Sequence, residues 1–154
     1  MSTPVAENIG AALESALDGL EIPGFGNLQA TRMKRFILEG EPLDDLACYI
    51  LQDKCEFQGD VIVVGGTEPR LVTQNYLVWV ACLQGDKATQ PIDQKLHVVV
   101  AEIVAKLCAD YTLGGTCKQL DITEIQPTDS PEVGVLITVQ ILYFVQWNNP
   151  YNSA

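Results

Sequence analysis

The chain is predicted to be a single α+β domain: an antiparallel or mixed sheet of four to five strands with two main helices packed on one face. Two stretches place apolar residues at helical spacing, and several others alternate or are apolar on both faces. Short links between the strands favour antiparallel pairing. At 154 residues and 47% hydrophobic content, one compact core forms without disulfide or metal staples. The expected domain spans residues 1–147, followed by a polar C-terminal tail over 148–154.

Thr3-Pro4 reads as an N-cap followed by a proline at the first helical position, ahead of an apolar stripe of Val5, Ile9, Leu13, Ala16, Leu17 and Leu20. Ile22-Pro23-Gly24-Phe25-Gly26 ends this helix. Residues 28–37 form a polar, strand-like run suited to an exposed or edge strand. After the turn Glu39-Gly40-Glu41-Pro42, residues 45–57 start apolar on both faces and become charged, as in a strand leaving a core for solvent. Segment 58–70 holds Val61-Ile62-Val63-Val64 between turn signals and reads as a long β-connection or a protruding hairpin. Residues 71–83 become apolar on both faces from Tyr76 onward, the pattern of a central strand.

Pro91 opens a second helix carrying Ile92, Leu96, Val99, Val100, Ile103 and Leu107 at spacings of three and four, stopped by Gly114-Gly115. Residues 118–125 alternate, Pro127 to Pro131 form a turn-rich link, and from Val135 to Trp147 every odd position is apolar. The tail from Asn148 shows no packing pattern.

Twenty Asp and Glu against 9 Lys and Arg disfavour a general attraction to nucleic acid or anionic membranes. No apolar run reaches the roughly 20 residues that span a bilayer, and the first residues lack the blocks of a signal peptide, so a cytosolic protein is expected. The five cysteines, Cys48, Cys55, Cys82, Cys108 and Cys117, include no C-x-x-C pair and suit reduced, buried thiols.

Catalytic and metal chemistry finds little support. The single histidine, His97, sits in the second helix one turn from Asp93, and reads as a helix boundary residue rather than a base for Cys108 or a serine. Scattered thiols with one imidazole do not make a zinc site. Asp121, Glu124, Asp129 and Glu132 lack the calcium-loop pattern. Gly65-Gly66-Thr67 and Gly114-Gly115-Thr116 lack the Lys-Ser/Thr of a phosphate loop. Tyr76, Trp79, Tyr143, Phe144 and Trp147 lack the basic groove of single-strand binders. The expectation is a non-enzyme with no catalytic, cofactor-binding or metal-ligating residue.

Two helices cover one face of such a sheet, so the doubly apolar stretches at 46–51 and 76–83 imply that part of the second face meets other subunits. Val61, Ile62, Val63 and Val64 are candidate interface residues, because an apolar run on a projecting connection needs a partner surface. Tyr151 is a further candidate, as an aromatic anchor on a polar tail.

Several segments carry a family likeness. Pro42-Leu43-Asp44-Asp45-Leu46-Ala47-Cys48-Tyr49-Ile50 leads into a strand, and helix 91–110 runs into Asp110-Tyr111-Thr112-Leu113-Gly114-Gly115. Leu120-Asp121-Ile122-Thr123 and a closing strand introduced by Val133-Gly134-Val135 follow. In order and spacing over residues 5–147, these resemble the tail-terminator, or tail-completion, proteins of tailed bacteriophages. The resemblance implies a homo-hexameric ring at the head-proximal end of the tail tube, which ends tube growth and offers a surface for head–tail joining. The implied partners are further copies of the chain, the tail tube protein, a sheath protein if the tail is contractile, and head-connector or neck proteins. Genomic DNA would only pass through the lumen, where acidic charge keeps it from sticking. The implied location is the virion tail or neck, and the host cytoplasm during assembly. Alternatives are another neck or head-completion protein of the virion, or a small ligand-binding or enzymatic α+β domain whose pocket carries no motif.

Overall fold

The computed structural model describes residues 3–33, 46–57, 69–81, 92–128, 134–146 and 149–153. In chain order these form α1 (Val5–Leu17), a small hairpin of β1 (Glu21–Ile22) and β2 (Gly26–Asn27), then β3 (Gln29–Met33), β4 (Ala47–Phe57) and β5 (Pro69–Ala81). α2 (Ile92–Ala109), β6 (Gln119–Thr128), β7 (Gly134–Gln146) and β8 (Asn149–Ser153) complete the chain.

The first helix starts one residue later than the Thr3-Pro4 pair implies. Pro4 is itself the N-cap, with φ −56° and ψ 146°, the extended geometry its ring favours; its carbonyl accepts from the Glu7 and Asn8 N–H groups at 3.0 and 3.1 Å. From there the stripe behaves as the spacing requires, with Val5, Ile9, Leu13 and Leu17 buried.

The main sheet has the order β3-β4-β5-β7-β6, with β8 added to β7. It is mixed: β3 and β4 run parallel, whereas all other neighbours are antiparallel. The short-link argument fails at β3 and β4 because the chain between Met33 and Ala47 is long enough for a crossover, which takes roughly a dozen residues. The tail is also less separate than its composition suggests. Its residues 149–153 fold back as β8, pairing Asn149 with Gln146 and Ser153 with Val145.

Both helices and Ile22 of the hairpin pack on one face of the sheet and form one core. Leu96, Val99, Ile103 and Leu107 of α2 join the α1 stripe over Cys48, Ile50, Val72, Tyr76, Val78 and Val80, and over the odd positions of β7 from Val135 to Val145. Two strands carry bulges, between Gln52 and Cys55 of β4 and between Ile122 and Glu124 of β6. The first is tied down by Gln74, a side chain 1% exposed. Its Nε2 donates to the carbonyls of Asp53, Lys54 and Asn75 at 3.2, 3.3 and 3.0 Å, while its Oε1 accepts from Gln52 Nε2 at 3.0 Å.

Beyond α2, Leu113, Gly114 and Gly115 take φ values of 49°, 67° and 87°. The Asp110 carboxylate holds this left-handed run, accepting from the Gly114 N–H at 2.9 Å and the Thr112 hydroxyl at 3.2 Å. Leu113 is buried, so the turn folds its side chain back into the core.

Candidate subunit interface

Strand alternation sends a second set of side chains to the face opposite the helices. Register aligns Tyr49 with Trp79 and Leu136, Leu51 with Leu77 and Thr138, and Thr73 with Leu142. Leu71 and Phe144 extend the set toward one end of the sheet. None of these residues belongs to the core cluster, and no helix among the described residues packs on this face. Trp79 and Thr73 are buried; Tyr49, Leu51, Leu71, Leu77, Leu136, Leu142 and Phe144 are half-buried.

The aromatic centre of this face is closely fitted. Trp79 stacks on Tyr49 with ring centroids 5.9 Å apart, and its Nε1 donates to Thr128 Oγ1 at 2.8 Å across the width of β7. The strand residue beneath the indole is Gly134, paired with both Ala81 and Thr128. A Cβ there would lie 2.9 Å from the indole nitrogen and would collide with the Val80 carbonyl oxygen. Glycine therefore lets the indole lie flat against the sheet.

The face is also free of charge. Every outward position of β4 from Ala47 to Leu51, of β5 from Pro69 to Ala81, and of β7 from Gly134 to Gln146 is apolar or neutral, in a chain of net charge −11. Charge enters at the rims: beyond the β4 bulge Glu56, ion-paired with Lys54, stands opposite Thr73, and Asp121 and Glu124 of β6 stand opposite Gln140 and Thr138. Lys118 lies at the same rim, its Nζ 4.9 Å from the Phe144 ring centroid.

The sequence candidates for this role fare differently. Val61, Ile62, Val63 and Val64 lie outside the described residues. Tyr151 falls within β8, alongside β7, rather than on a free tail. The outward residues of β7 are harder to single out from sequence, because Leu136, Leu142 and Phe144 share their parity with Thr138 and Gln140. The signal lies in those apolar even positions, on a strand whose odd positions already fill the core.

The catalytic candidates gain no common site. His97 and Cys108 are both exposed on α2, and eleven positions of helix separate them by roughly 16 Å along its axis. Cys48 and Cys117 are buried, as expected, whereas Cys55 and Cys108 are exposed. Burial, reinforced by the Asp18 and Glu14 charges, pushes the Cys48 thiol up to about 12; burial and Asp110 push Cys117 up to about 11. Neither is a thiolate at neutral pH. Among the described residues no group of three or more His, Cys, Asp or Glu side chains could hold a metal ion, and no helix is long and apolar enough to cross a membrane. In comparisons with known proteins, no family model and no curated protein matches the chain.

Proposed function

We propose that this chain is a virion assembly protein of the tail-terminator kind, which forms a homo-hexameric ring at the head-proximal end of a phage tail tube. The observation that carries the reading is the uncharged apolar sheet face left outside the single core. In a chain of net charge −11, like-charged copies can approach closely only where charge is absent, and the face from Tyr49 to Leu142 is such a place. A closed ring needs a second, different patch on each copy. Exposed Phe57, Tyr111 and Ile125 offer apolar contacts away from the first face. The order of elements and the Asp110-Tyr111-Thr112-Leu113-Gly114-Gly115 helix end give the family likeness on which the tail-tube assignment rests. The ring would end tube growth, meet the head connector above and, with its acidic surplus, let DNA pass without adhering.

The test combines mass in solution, electron microscopy of the particle, and elongation of tail tubes in the presence of the protein. The expected result is a six-fold ring, free or formed on tube ends, that stops elongation and then co-purifies with head-connector proteins. Leu77→Glu with Leu136→Glu places charge on the outward face and should weaken assembly at least tenfold while leaving the core strands folded. A parent chain that neither oligomerises nor caps tubes would sink the proposal.

A further inference from the structure

The β3 edge of the sheet is closed in an unusual way. Gln29 turns its N–H inward to the Leu46 carbonyl at 3.0 Å, so the donors of alternate residues, Leu28, Ala30 and Arg32, point outward. An edge strand normally leaves such donors open to another strand. Here each is met in turn. The Leu28 N–H donates to the Leu20 carbonyl at 2.8 Å, and the Leu28 carbonyl accepts from the Gly19 N–H at 2.8 Å. The Ala30 N–H then donates to Asp18 Oδ1 at 3.1 Å and the Arg32 N–H to Glu14 Oε2 at 3.0 Å. The acceptors descend through 20, 18 and 14 as the donors ascend through 28, 30 and 32, which is the sense of an antiparallel neighbour.

Helix and strand repeats make this possible. Four residues of helix rise about 6 Å, and two residues of strand advance about 6.6 Å, so carboxylates one turn apart meet alternate strand donors. Further back along the helix, the Arg32 guanidinium holds Glu7 through two hydrogen bonds of 2.7 and 2.9 Å. Gly10 gives it room, since a Cβ there would sit 2.8 Å from a guanidinium nitrogen.

We propose that α1 is a surrogate edge strand: the Glu14 and Asp18 carboxylates stand where a neighbouring strand's carbonyls would stand and bar strand addition by a second copy of the chain. Copies are thereby kept from pairing edge to edge. The inference is independent of the ring assignment, because the same seal would serve any soluble assembly built from this fold.

Amide hydrogen exchange and light scattering on the full chain test it, with Glu14→Ala/Asp18→Ala compared against Glu14→Gln/Asp18→Asn, whose amides keep the acceptor oxygens. In the alanine pair, the Ala30 and Arg32 amides should exchange at least tenfold faster, Val78 and Val80 should stay protected, and the mass should grow beyond the parent's own oligomer. The Gln/Asn pair should match the parent. Glu14→Ala alone should release Arg32 and leave Ala30 protected. Unchanged exchange and mass in the alanine pair would overturn the proposal. So would equal growth in the Gln/Asn pair, which would make charge rather than acceptor geometry the barrier, or a general loss of protection, which would make α1 a prop for the core.

Discussion

Two side-chain positions carry more than their size suggests. Gly134 is fixed by space rather than by backbone conformation, since the obstruction is the Val80 carbonyl together with the Trp79 indole. Gly134→Ala should destabilise the protein by about 1–3 kcal/mol through overpacking, and should shift tryptophan emission to longer wavelength as the indole leaves Thr128. Urea denaturation followed by fluorescence reads both, and a stable variant with unchanged emission would show that the strand accommodates the methyl. Gln74 does a different job, because its amide protons satisfy carbonyls that the β4 bulge turns inward. Gln74→Leu keeps the volume and removes the donors, so a loss of about 1–3 kcal/mol is expected for the orphaned carbonyls. If Gln74→Leu proved neutral in the same assay, water would have to reach the bulge.

Among the elements, α1 and β3 form the clasp most open to titration. The hydrogen bond from Arg32, and then its charge, hold the Glu7 carboxyl below its ordinary 4.5. A depressed folded value stabilises the protein above the unfolded value, and that stabilisation disappears as pH falls through the folded one. Glu7→Gln should therefore fall below the parent in denaturation midpoint near pH 6 and converge with it in acid. Parallel curves would mean that the exposed pair contributes nothing. The sequence reveals α1 through its apolar period, and it also marks residues 28–37 as an exposed or edge strand. It does not reveal that the polar positions of one meet the backbone of the other, because a side-chain-to-backbone bond leaves no pattern in a single chain. The parallel β3–β4 pair escapes for a related reason: pairing direction depends on the path between strands. β8 escapes because the run Asn149-Pro150-Tyr151-Asn152 has no alternation to read. By contrast, β7 is legible throughout, since a period of two with one committed face allows only one register. The outward face is legible as stretches apolar on both sides, but its individual residues need the register of three strands at once.

For the whole molecule, the surfaces left open are set by what the fold closes. Helices cover one face, α1 carboxylates seal the β3 edge, and the β6 edge carries a bulge at which Asp121 Oδ1 accepts from the Ile122 N–H at 2.9 Å, with Pro127 lacking a donor further on. The core that supports this arrangement also sets an alkaline limit. Burial raises Cys48 from 9.0 to about 12, Cys117 from 9.0 to about 11 and Tyr143 from 10.0 to about 12. In each case the fold favours the protonated form, so its contribution is complete below the unfolded value and is lost as pH rises toward the folded one. The urea midpoint should hold steady up to about pH 9 and then fall between about pH 9 and 11, as unfolded thiols ionise while the folded ones do not. Cys48→Ala removes one of these groups from both states, so its midpoint should start lower, for the cavity it leaves, and decline less steeply. If the parent and Cys48→Ala decline in parallel across that range, the Cys48 thiol is not linked to folding, and the alkaline loss comes from the other groups that burial pushes up, Cys117, Tyr143, Cys55 and Tyr76.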